Sequence, residues 1–295
     1  MVYIIDASMY VFRAWFSIDP ETMIDDQQNP VNALFGFASF LGDFLEKKKP
    51  DYVAVAFDEG LKTCFRNEIY PDYKANREPA PDDLKKQFAR CRAVTRALGL
   101  MECAEETYEA DDLIGTITVR MRRHGMPATI LSRDKDLVQL LREGDEMWDY
   151  ASNTHTRYHE VADSYGIQAE QMVDYLALAG DSVDNIPGVK GVGPKTATAL
   201  LAHFGSFDNL YENLDQVASL NLRGAATLGD RLARHHDDAI LSRKLTKIHC
   251  DVPVTTTKKS VTRRMPDLDA LYSLYDEAGF GTSLRRQAQR LVDSF

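Results

Sequence analysis

Short apolar runs alternate with helix-length amphipathic segments through the first half of this 295-residue chain. Four of these runs predict buried strands at residues 2–5, 53–57, 129–131 and 146–150. The segments between them carry apolar residues at helical spacing, and residues 32–48 end in a lysine run followed by a proline. Strands that alternate with helices form an open parallel sheet. We therefore predict an α/β fold, with a parallel sheet flanked by helices.

The pattern changes near residue 165. From about residue 167 onward the apolar spacing is helical, and glycine and proline interrupt it between residues 187 and 194. The change predicts two domains, an α/β domain at 1–165 and a helical domain at 166–295.

Composition excludes several classes of protein. The chain is 44% hydrophobic and 27% charged, which is ordinary for a globular protein. Its apolar runs are far shorter than the roughly 18–20 residues of a membrane helix, and no basic start leads into an apolar signal core, so we expect a cytoplasmic chain. The cysteines lack the spacing of a zinc site or a disulfide framework, and we expect free thiols at Cys64, Cys91, Cys103 and Cys250.

Aspartates stand where the predicted strands end. Asp6 ends the first strand, Asp58 ends the second, and residues 134–136 follow the third. Ligands bind at this carboxyl edge in open α/β sheets. An acidic cluster at 109–112 begins the next helix, and two later aspartates are three residues apart, on one face if their segment is helical. We expect one cleft to contain Asp6, Asp58, Glu109, Asp111, Asp112, Asp134, Asp136, Asp181 and Asp184.

Such a cluster needs cations, because carboxylates within about 4–6 Å of one another raise each other's pKa. Oxygen ligands select hard ions such as Mg²⁺ or Mn²⁺. Any one of these acids alone is more often a solvated loop residue or a helix cap. Phosphotransfer by an aspartyl nucleophile would need a second acid two residues after Asp6, where this chain has Ser8. No histidine or cysteine ends a strand, so two-metal hydrolysis of a phosphodiester fits better.

Basic and aromatic residues interleave between residues 65 and 92. Cations that bind phosphates and rings that stack on bases are typical of a channel for single-stranded nucleic acid. A solvated amphipathic helix preceded by a tyrosine-rich loop is the alternative. The stretch contains Phe65, Arg66, Tyr70, Tyr73, Lys74, Arg77, Lys85, Lys86, Phe88, Arg90 and Arg92.

A glycine-rich segment at 186–197 nearly matches a phosphate-binding loop. Pro194 intrudes between the glycine and the lysine, and no strand precedes the segment, so we reject nucleotide binding there. Two short helices with a glycine turn fit better, because Gly191 and Gly193 let the backbone approach a phosphate. A plain connection between two core helices is the alternative. Lys190 and Lys195 flank the turn.

Six stretches of the sequence, in order, closely resemble the 5′ nuclease domain of bacterial DNA polymerase I and its relatives, the phage 5′-3′ exonucleases and flap endonucleases. They are VYIIDASMYVFRAWF, AVAFDEG, FRNEIYPDYKANREPAPDDL, YEADDLIGT, SRDKDLVQL and AGDSVDNIPGVKGVGPKTA. The resemblance covers roughly residues 1–250. Ala7 stands where members commonly have glycine, and Trp15 and Phe16 replace a more polar aromatic pair.

The resemblance implies a PIN-like α/β core followed by a helix-hairpin-helix at 186–204. The nine acids would hold two divalent ions, Mg²⁺ or Mn²⁺. Lys74 and Arg77 would belong to a helical arch around 66–95, with Lys74 addressing the scissile phosphate. The hairpin would bind duplex phosphates, in some relatives with a K⁺ ion. The implied DNA contacts are Arg66, Tyr73, Lys190, Gly191, Gly193, Lys195 and Thr196.

The implied activity is structure-specific 5′-3′ exonuclease and flap endonuclease hydrolysis of DNA, with RNA primers as a further substrate, by a monomer. A PIN-type ribonuclease and an inactive DNA-binding remnant are the alternatives. A remnant should have lost some of the acids, whereas all nine are present. The formal net charge of −10 argues against a nucleic-acid partner at first sight. Without the nine site carboxylates the charge is −1, and two divalent ions bring it to about +3.

Overall fold

A six-stranded sheet organises the N-terminal part of the protein in the computed structural model, which describes residues 1–59 and 63–295. Its strands are β1 (Val2–Asp6), β2 (Val53–Asp58), β3 (Met101–Glu105), β4 (Ala128–Leu131), β5 (Glu146–Asp149) and β6 (Thr154–Arg157). The spatial order is β3-β2-β1-β4-β5-β6, and all neighbours pair in parallel except β5 and β6, which are antiparallel. The predicted parallel α/β sheet is confirmed.

The four strands predicted from apolar runs are β1, β2, β4 and β5. Strands β3 and β6, the two edges of the sheet, were not predicted from the sequence. Their sequences, MECAE and THTR, place polar side chains on exposed or half-exposed positions. Edge strands of this kind lack the continuous apolar run that marks a buried parallel strand.

Helices cover both faces of the sheet and form most of the chain after residue 160. The described residues contain α1 (Ala7–Ser17), α2 (Asn32–Lys48), α3 (Phe65–Ile69), α4 (Asp82–Ala97), α5 (Ala110–Arg123), α6 (Val161–Tyr165), α7 (Met172–Ala179), α8 (Pro194–Phe204), α9 (Phe207–Glu212), α10 (Ala225–Arg234), α11 (His236–Thr246), α12 (Lys258–Val261), α13 (Leu268–Glu277) and α14 (Thr282–Asp293). The bounds of α2 agree with the prediction. It ends where Lys49 takes a left-handed conformation and Pro50 follows.

Two apolar cores lie on opposite faces of the sheet, because successive side chains of a strand point to opposite sides. Ile4 of β1 is buried in the same cluster as Leu113 and Ile117 of α5. Ile5 is buried in the other cluster, with Phe37 and Phe44 of α2. The first core continues into the helical region, so α5 is packed between the sheet and the C-terminal helices.

The last two helices return to the N-terminal part. Leu271 and Tyr275 of α13 and Leu284 of α14 belong to the same apolar cluster as Phe37 of α2. The prediction that residues 166–295 form one separate helical domain is therefore wrong for α13 and α14. These helices complete the core on the α2 face of the sheet.

The four thiols are free, as predicted. Cys64, Cys91 and Cys103 are buried and Cys250 is partly buried. Burial raises the pKa of the Cys103 thiol to about 12, so this thiol stays protonated and unreactive at neutral pH. Across residues 1–59 and 63–295 no helix combines the length and the apolarity that crossing a bilayer requires.

Candidate active site

The ends of β1 and β2 meet the start of α5, as the strand-end aspartates predicted. Asp6 caps α1 by accepting the Met9 N–H at 3.2 Å, and its other oxygen accepts the Ser132 hydroxyl at 2.8 Å. Asp58 accepts the backbone N–H of Ala110, the first residue of α5, at 2.8 Å. These hydrogen bonds place both carboxylates at the carboxyl edge of the sheet.

Ser132 is a site residue that the sequence analysis missed. It follows β4 directly and is buried. Its hydroxyl donates to the Asp6 carboxylate and accepts the backbone N–H of Asp134 at 3.1 Å, so it ties the end of β1 to the backbone that follows β4. The signal was present in the sequence, because the serine stands two residues before the first aspartate of the SRDKD stretch.

Asp136 carries an unsatisfied oxygen. Asp134 accepts the N–H of Asp136 at 2.9 Å and caps a short 3-10 helix, Lys135–Leu140. The Oδ1 atom of Asp136 is buried and has no hydrogen-bond partner among the described residues. Burial, followed by the charge of Asp134, raises the pKa of Asp136 to about 7. A buried oxygen of this kind is stabilised by a cation that fills the missing position.

Two further carboxylates lack positive partners. Burial, and next the charge of Asp58, raises the pKa of Asp6 to about 7. Burial and the charge of Asp134 raise the pKa of Asp111 well above its usual range. Within residues 1–59 and 63–295 no lysine or arginine forms an ion pair with either Asp6 or Asp111.

This oxygen-rich group, with its excess of negative charge, fits hard divalent cations. The side chains do not yet form a ready ligand set, since no three acidic, histidine or cysteine side chains of the described residues are arranged to hold a metal ion. The predicted ligand set therefore stays a prediction.

Lysine and arginine side chains face the remaining acids. Lys74 Nζ contacts the Glu109 carboxylate and lies 3.7 Å from Asp184, which also pairs with Arg77. The backbone N–H of Lys74 donates to the backbone carbonyl of Asp184 at 3.0 Å. This bond fixes the loop that carries Lys74 and Arg77 to the residues after α7. Lys74 has φ +54°, a left-handed conformation that costs free energy in a residue other than glycine.

The segment that contains Asp181 and Asp184 is a turn, not a helix. Backbone hydrogen bonds between Asp181 and Ile186 close it, and Asp181 accepts the N–H of Val183 at 2.7 Å. The expectation that the two aspartates share a helical face is therefore wrong. Asp181 pairs with Lys135, whereas Asp184 pairs with the cations of the loop after α3.

Asp112 lies below the site rather than in it. Its side chain is fully buried, and Arg66 donates to both of its oxygens at 2.7 and 2.8 Å. The N–H groups of His249 and Glu109 fill the remaining positions, at 2.7 and 3.2 Å. The predicted role of Asp112 as a metal ligand is not supported by this geometry. Glu109 and Asp112 form a capping box at the start of α5, a signal already present in the E-A-D-D spacing.

Two of the predicted DNA contacts are buried. Arg66 is only 2% exposed, and its guanidinium is fully engaged by protein acceptors. Tyr73 is 4% exposed, donates its hydroxyl to Glu109 at 3.0 Å, and packs with Ile186 and Leu245. Neither side chain can reach a nucleic acid in this conformation, so both predictions are corrected.

The range 66–95, for which the family resemblance implies a helical arch, contains a loop that precedes a helix. The chain forms α3, a loop at 70–81 and then α4. Leu84 and Val94 of α4 are buried in the core beside α2. The loop carries Lys74 and Arg77, which contact Glu109 and Asp184.

The glycine turn connects α7 to α8 and combines two kinds of glycine. Gly188 has φ +59°, and a Cβ there would lie 2.3 Å from the Gly180 nitrogen, so its role is close packing. Gly193 caps α8 and has open space where a Cβ would be. Gly191 has φ +81°, and Arg231, missed by the sequence analysis, donates to its carbonyl at 3.3 Å. Lys190 and Lys195 are exposed, and Thr196 is half-exposed.

Only one helix, α8, lies within the predicted hairpin range of 186–204, and its partner is α7. The expectation of two short helices inside that range is therefore corrected. The turn has open space at Gly193 between the exposed Lys190 and Lys195, and its binding of a phosphate stays a prediction.

Sequence comparison identifies the two parts of the chain. The profile of the 5′-3′ exonuclease N-terminal resolvase-like domain matches residues 1–166, and that of the 5′-3′ exonuclease C-terminal SAM fold matches residues 167–269. A 5′-3′ exonuclease of Aquifex aeolicus is 33% identical over 270 residues, which are 92% of this chain and 89% of that protein.

A DNA polymerase I of Caldicellulosiruptor bescii is 34% identical over 289 residues, 96% of this chain. The chain spans about a third of that polymerase, 33% of its length.

Structure comparison supports the same fold. The bacteriophage T5 flap endonuclease, solved in a pseudo-enzyme-product complex with DNA and metal ions, aligns with a TM-score of 0.67 at 18% identity, over 99% of this chain and 98% of the T5 chain. The matching profiles, the full-length relative and the shared fold confirm the resemblance seen in the sequence: the chain belongs to the 5′-3′ exonuclease family, a family of nucleases.

Proposed function

We propose that this chain is a structure-specific 5′-3′ exonuclease and flap endonuclease that hydrolyses phosphodiester bonds at the 5′ ends of DNA with two divalent ions, Mg²⁺ or Mn²⁺. The observation that carries the proposal is the group of un-neutralised carboxylates at the edge of the sheet, opposite Lys74 and Arg77. The activity of the family and the DNA and metal ions bound to the T5 enzyme support it.

The residues suited to hold the ions are those without a basic partner among the described residues: Asp6, Asp58, Asp111, Asp134 and Asp136. Glu109, Asp181 and Asp184 complete the predicted ligand set from the rim, where each also contacts a lysine or an arginine. Divalent ions bound to such carboxylates supply an activated water and stabilise the departing oxygen. No protein general base is then needed.

The cationic loop can hold the substrate phosphate. Lys74 and Arg77 both contact Asp184, so their charges lie beside the carboxylates rather than apart from them. The Lys74 side chain is 10% exposed, which places its charge in a partly desolvated position. A preorganised cation in such a place stabilises charge that develops on a phosphate.

The turn before α8 is suited to the duplex part of the substrate. Gly193 leaves open space around the backbone at the start of an eleven-residue helix, and Lys190 and Lys195 are exposed on either side. Backbone N–H groups at a helix start and nearby lysines bind phosphates. A K⁺ ion at this turn, as the family resemblance implies, is part of the proposal.

The proposal includes action as a monomer, as expected from the family resemblance. A cytoplasmic location stays a prediction. Sedimentation of the protein alone and with a flap substrate tests the stoichiometry, and two protein copies per flap would contradict it.

The main experiment compares a labelled 5′ flap, a nicked duplex and an RNA–DNA hybrid, each with Mg²⁺, Mn²⁺, Ca²⁺ or EDTA. We expect cleavage of the DNA substrates with Mg²⁺ or Mn²⁺ and none in EDTA, and no cleavage by Asp111→Asn, which keeps the shape of the side chain. Preferential cleavage of RNA would favour the PIN-type ribonuclease. Tight flap binding without cleavage under any condition would favour the inactive remnant.

A further inference from the structure

Arg66 forms a buried junction between three parts of the chain. It belongs to α3, and its guanidinium pairs with Asp112 and Glu109 at the start of α5. Its Nε donates to the Leu245 carbonyl at 2.8 Å and its Nη2 to the Lys247 carbonyl at 3.1 Å, at the end of α11. One side chain thus joins the base of the cationic loop, the acidic start of α5 and the C-terminal helices.

The junction restricts the Glu109 carboxylate. Its Oε2 accepts from Arg66 Nη1 at 3.0 Å and from the Tyr73 hydroxyl at 3.0 Å. Its Oε1 is then directed to Lys74. The Arg66 guanidinium and the Tyr73 hydroxyl are the two donors that oppose rotation of this carboxylate. Without the guanidinium, only the tyrosine would hold Oε2 in place.

Asp112 anchors the guanidinium from the other side. The two groups form a bidentate pair, and the carboxylate is completely buried. This geometry needs a planar fork of N–H donors, which lysine cannot supply although it keeps the charge.

We propose that Arg66 is a positioning residue for the acidic site: through Asp112 it is fixed in place, and through Glu109 it sets the direction of a site carboxylate. This inference rests on the proposed function for its metal ions. It replaces the DNA contact that the family resemblance implied for this arginine. Partners that orient a metal-ligand group typically change metal affinity or activity about 10–100-fold when they are lost.

The test uses Arg66→Lys, which keeps the buried charge, and Arg243→Lys as the matched control. Arg243 also bridges two carboxylates, Asp174 and Asp208. Neither of these carboxylates belongs to the acidic site. Three quantities are measured for each variant: Mn²⁺ binding to the DNA-free protein by calorimetry, the Mg²⁺ dependence of flap cleavage, and flap binding in EDTA as a function of salt. All are measured well below each variant's melting temperature.

We expect Arg66→Lys to weaken Mn²⁺ binding about tenfold or more and to raise the Mg²⁺ concentration for half-maximal cleavage by a similar factor. Flap binding in EDTA and its salt slope should change less than about twofold, and Arg243→Lys should change neither metal quantity. Because Arg66 and Asp112 belong to one network, the double variant Arg66→Lys/Asp112→Asn should lose less Mn²⁺-binding free energy than the two single variants lose in sum.

Two results would overturn the inference. Unchanged Mn²⁺ binding with weaker flap binding and a shallower salt slope would make Arg66 a phosphate contact. A lower melting temperature with unchanged metal and DNA binding would leave it only a packing role. Calorimetry separates this inference from the proposed function, since it still reports on Arg66 if the wild-type protein cleaves none of the substrates.

Discussion

Replacing Gly188 with alanine should destabilise the protein by about 3 kcal/mol, for two separable reasons. The residue has φ +59°, and a left-handed conformation costs an alanine about 1 kcal/mol. The added Cβ would also lie 2.3 Å from the nitrogen and 2.6 Å from the Cα of Gly180, backbone atoms that cannot rotate away. Relief of such overpacking costs about 2 kcal/mol.

Two other glycines provide matched controls. Gly224 has φ +78° in a left-handed conformation but no atom within 4 Å of a Cβ, so Gly224→Ala should show the backbone cost alone, about 1 kcal/mol. Gly193 has φ −99° and open space, so Gly193→Ala should change stability by less than about 0.5 kcal/mol. Chemical denaturation of the DNA-free proteins measures all three, provided that the slope of the transition is unchanged.

The same series separates folding from binding. Gly193→Ala, and more strongly Gly193→Val, should weaken binding of a duplex-bearing flap and reduce its salt dependence at normal stability, whereas Gly224→Ala should not. If Gly188→Ala costs no more stability than Gly224→Ala, the close backbone contact between residues 188 and 180 does not exist in the folded protein. If Gly193→Val binds duplex normally, the turn is only a connection between α7 and α8.

Three further predictions concern the acidic site. Lys74→Ala should lower the single-turnover cleavage rate about 10²–10³-fold and change flap binding in Ca²⁺ much less, and a proportional loss of binding at an unchanged rate would make Lys74 only a tether. Ser132→Ala removes the hydroxyl that donates to Asp6 and should raise the Mg²⁺ requirement several-fold; an unchanged Mg²⁺ titration would contradict this role. Folding raises the pKa of Asp6 from 3.8 to about 7, so the folded state binds a proton that the unfolded state releases. The free energy of unfolding of the metal-free protein should therefore fall as the pH rises from about 4 to 7. Asp6→Asn should flatten that dependence in denaturation curves measured in EDTA, and an unchanged pH dependence would contradict the raised pKa.

The strand-end aspartates were predictable because their position follows from local pattern alone. Asp6 and Asp58 each end a continuous apolar run, and parallel strands bring such ends to one edge. Helix α2 was predictable for the same reason, since its apolar stripe and its end signals lie within one segment.

Arg66 was not predictable in this way. In the sequence it is one of seven cations between residues 65 and 92, and nothing local distinguishes it from the exposed ones. Its acceptors include the carbonyls of Leu245 and Lys247, which are 179 and 181 residues away. The burial of a charge is decided by partners of this kind, which only the folded chain brings together.

The contact of α13 and α14 with α2 has a consequence for synthesis on the ribosome. Residues 271–291 complete a core whose other side, including Phe37 and Phe57, is made more than 200 residues earlier. At roughly 5–20 residues per second, that apolar face waits for tens of seconds before its cover is translated. During this interval the nascent chain exposes the surface that α13 and α14 later bury, and it is then that the chain depends most on chaperones and is most open to aggregation.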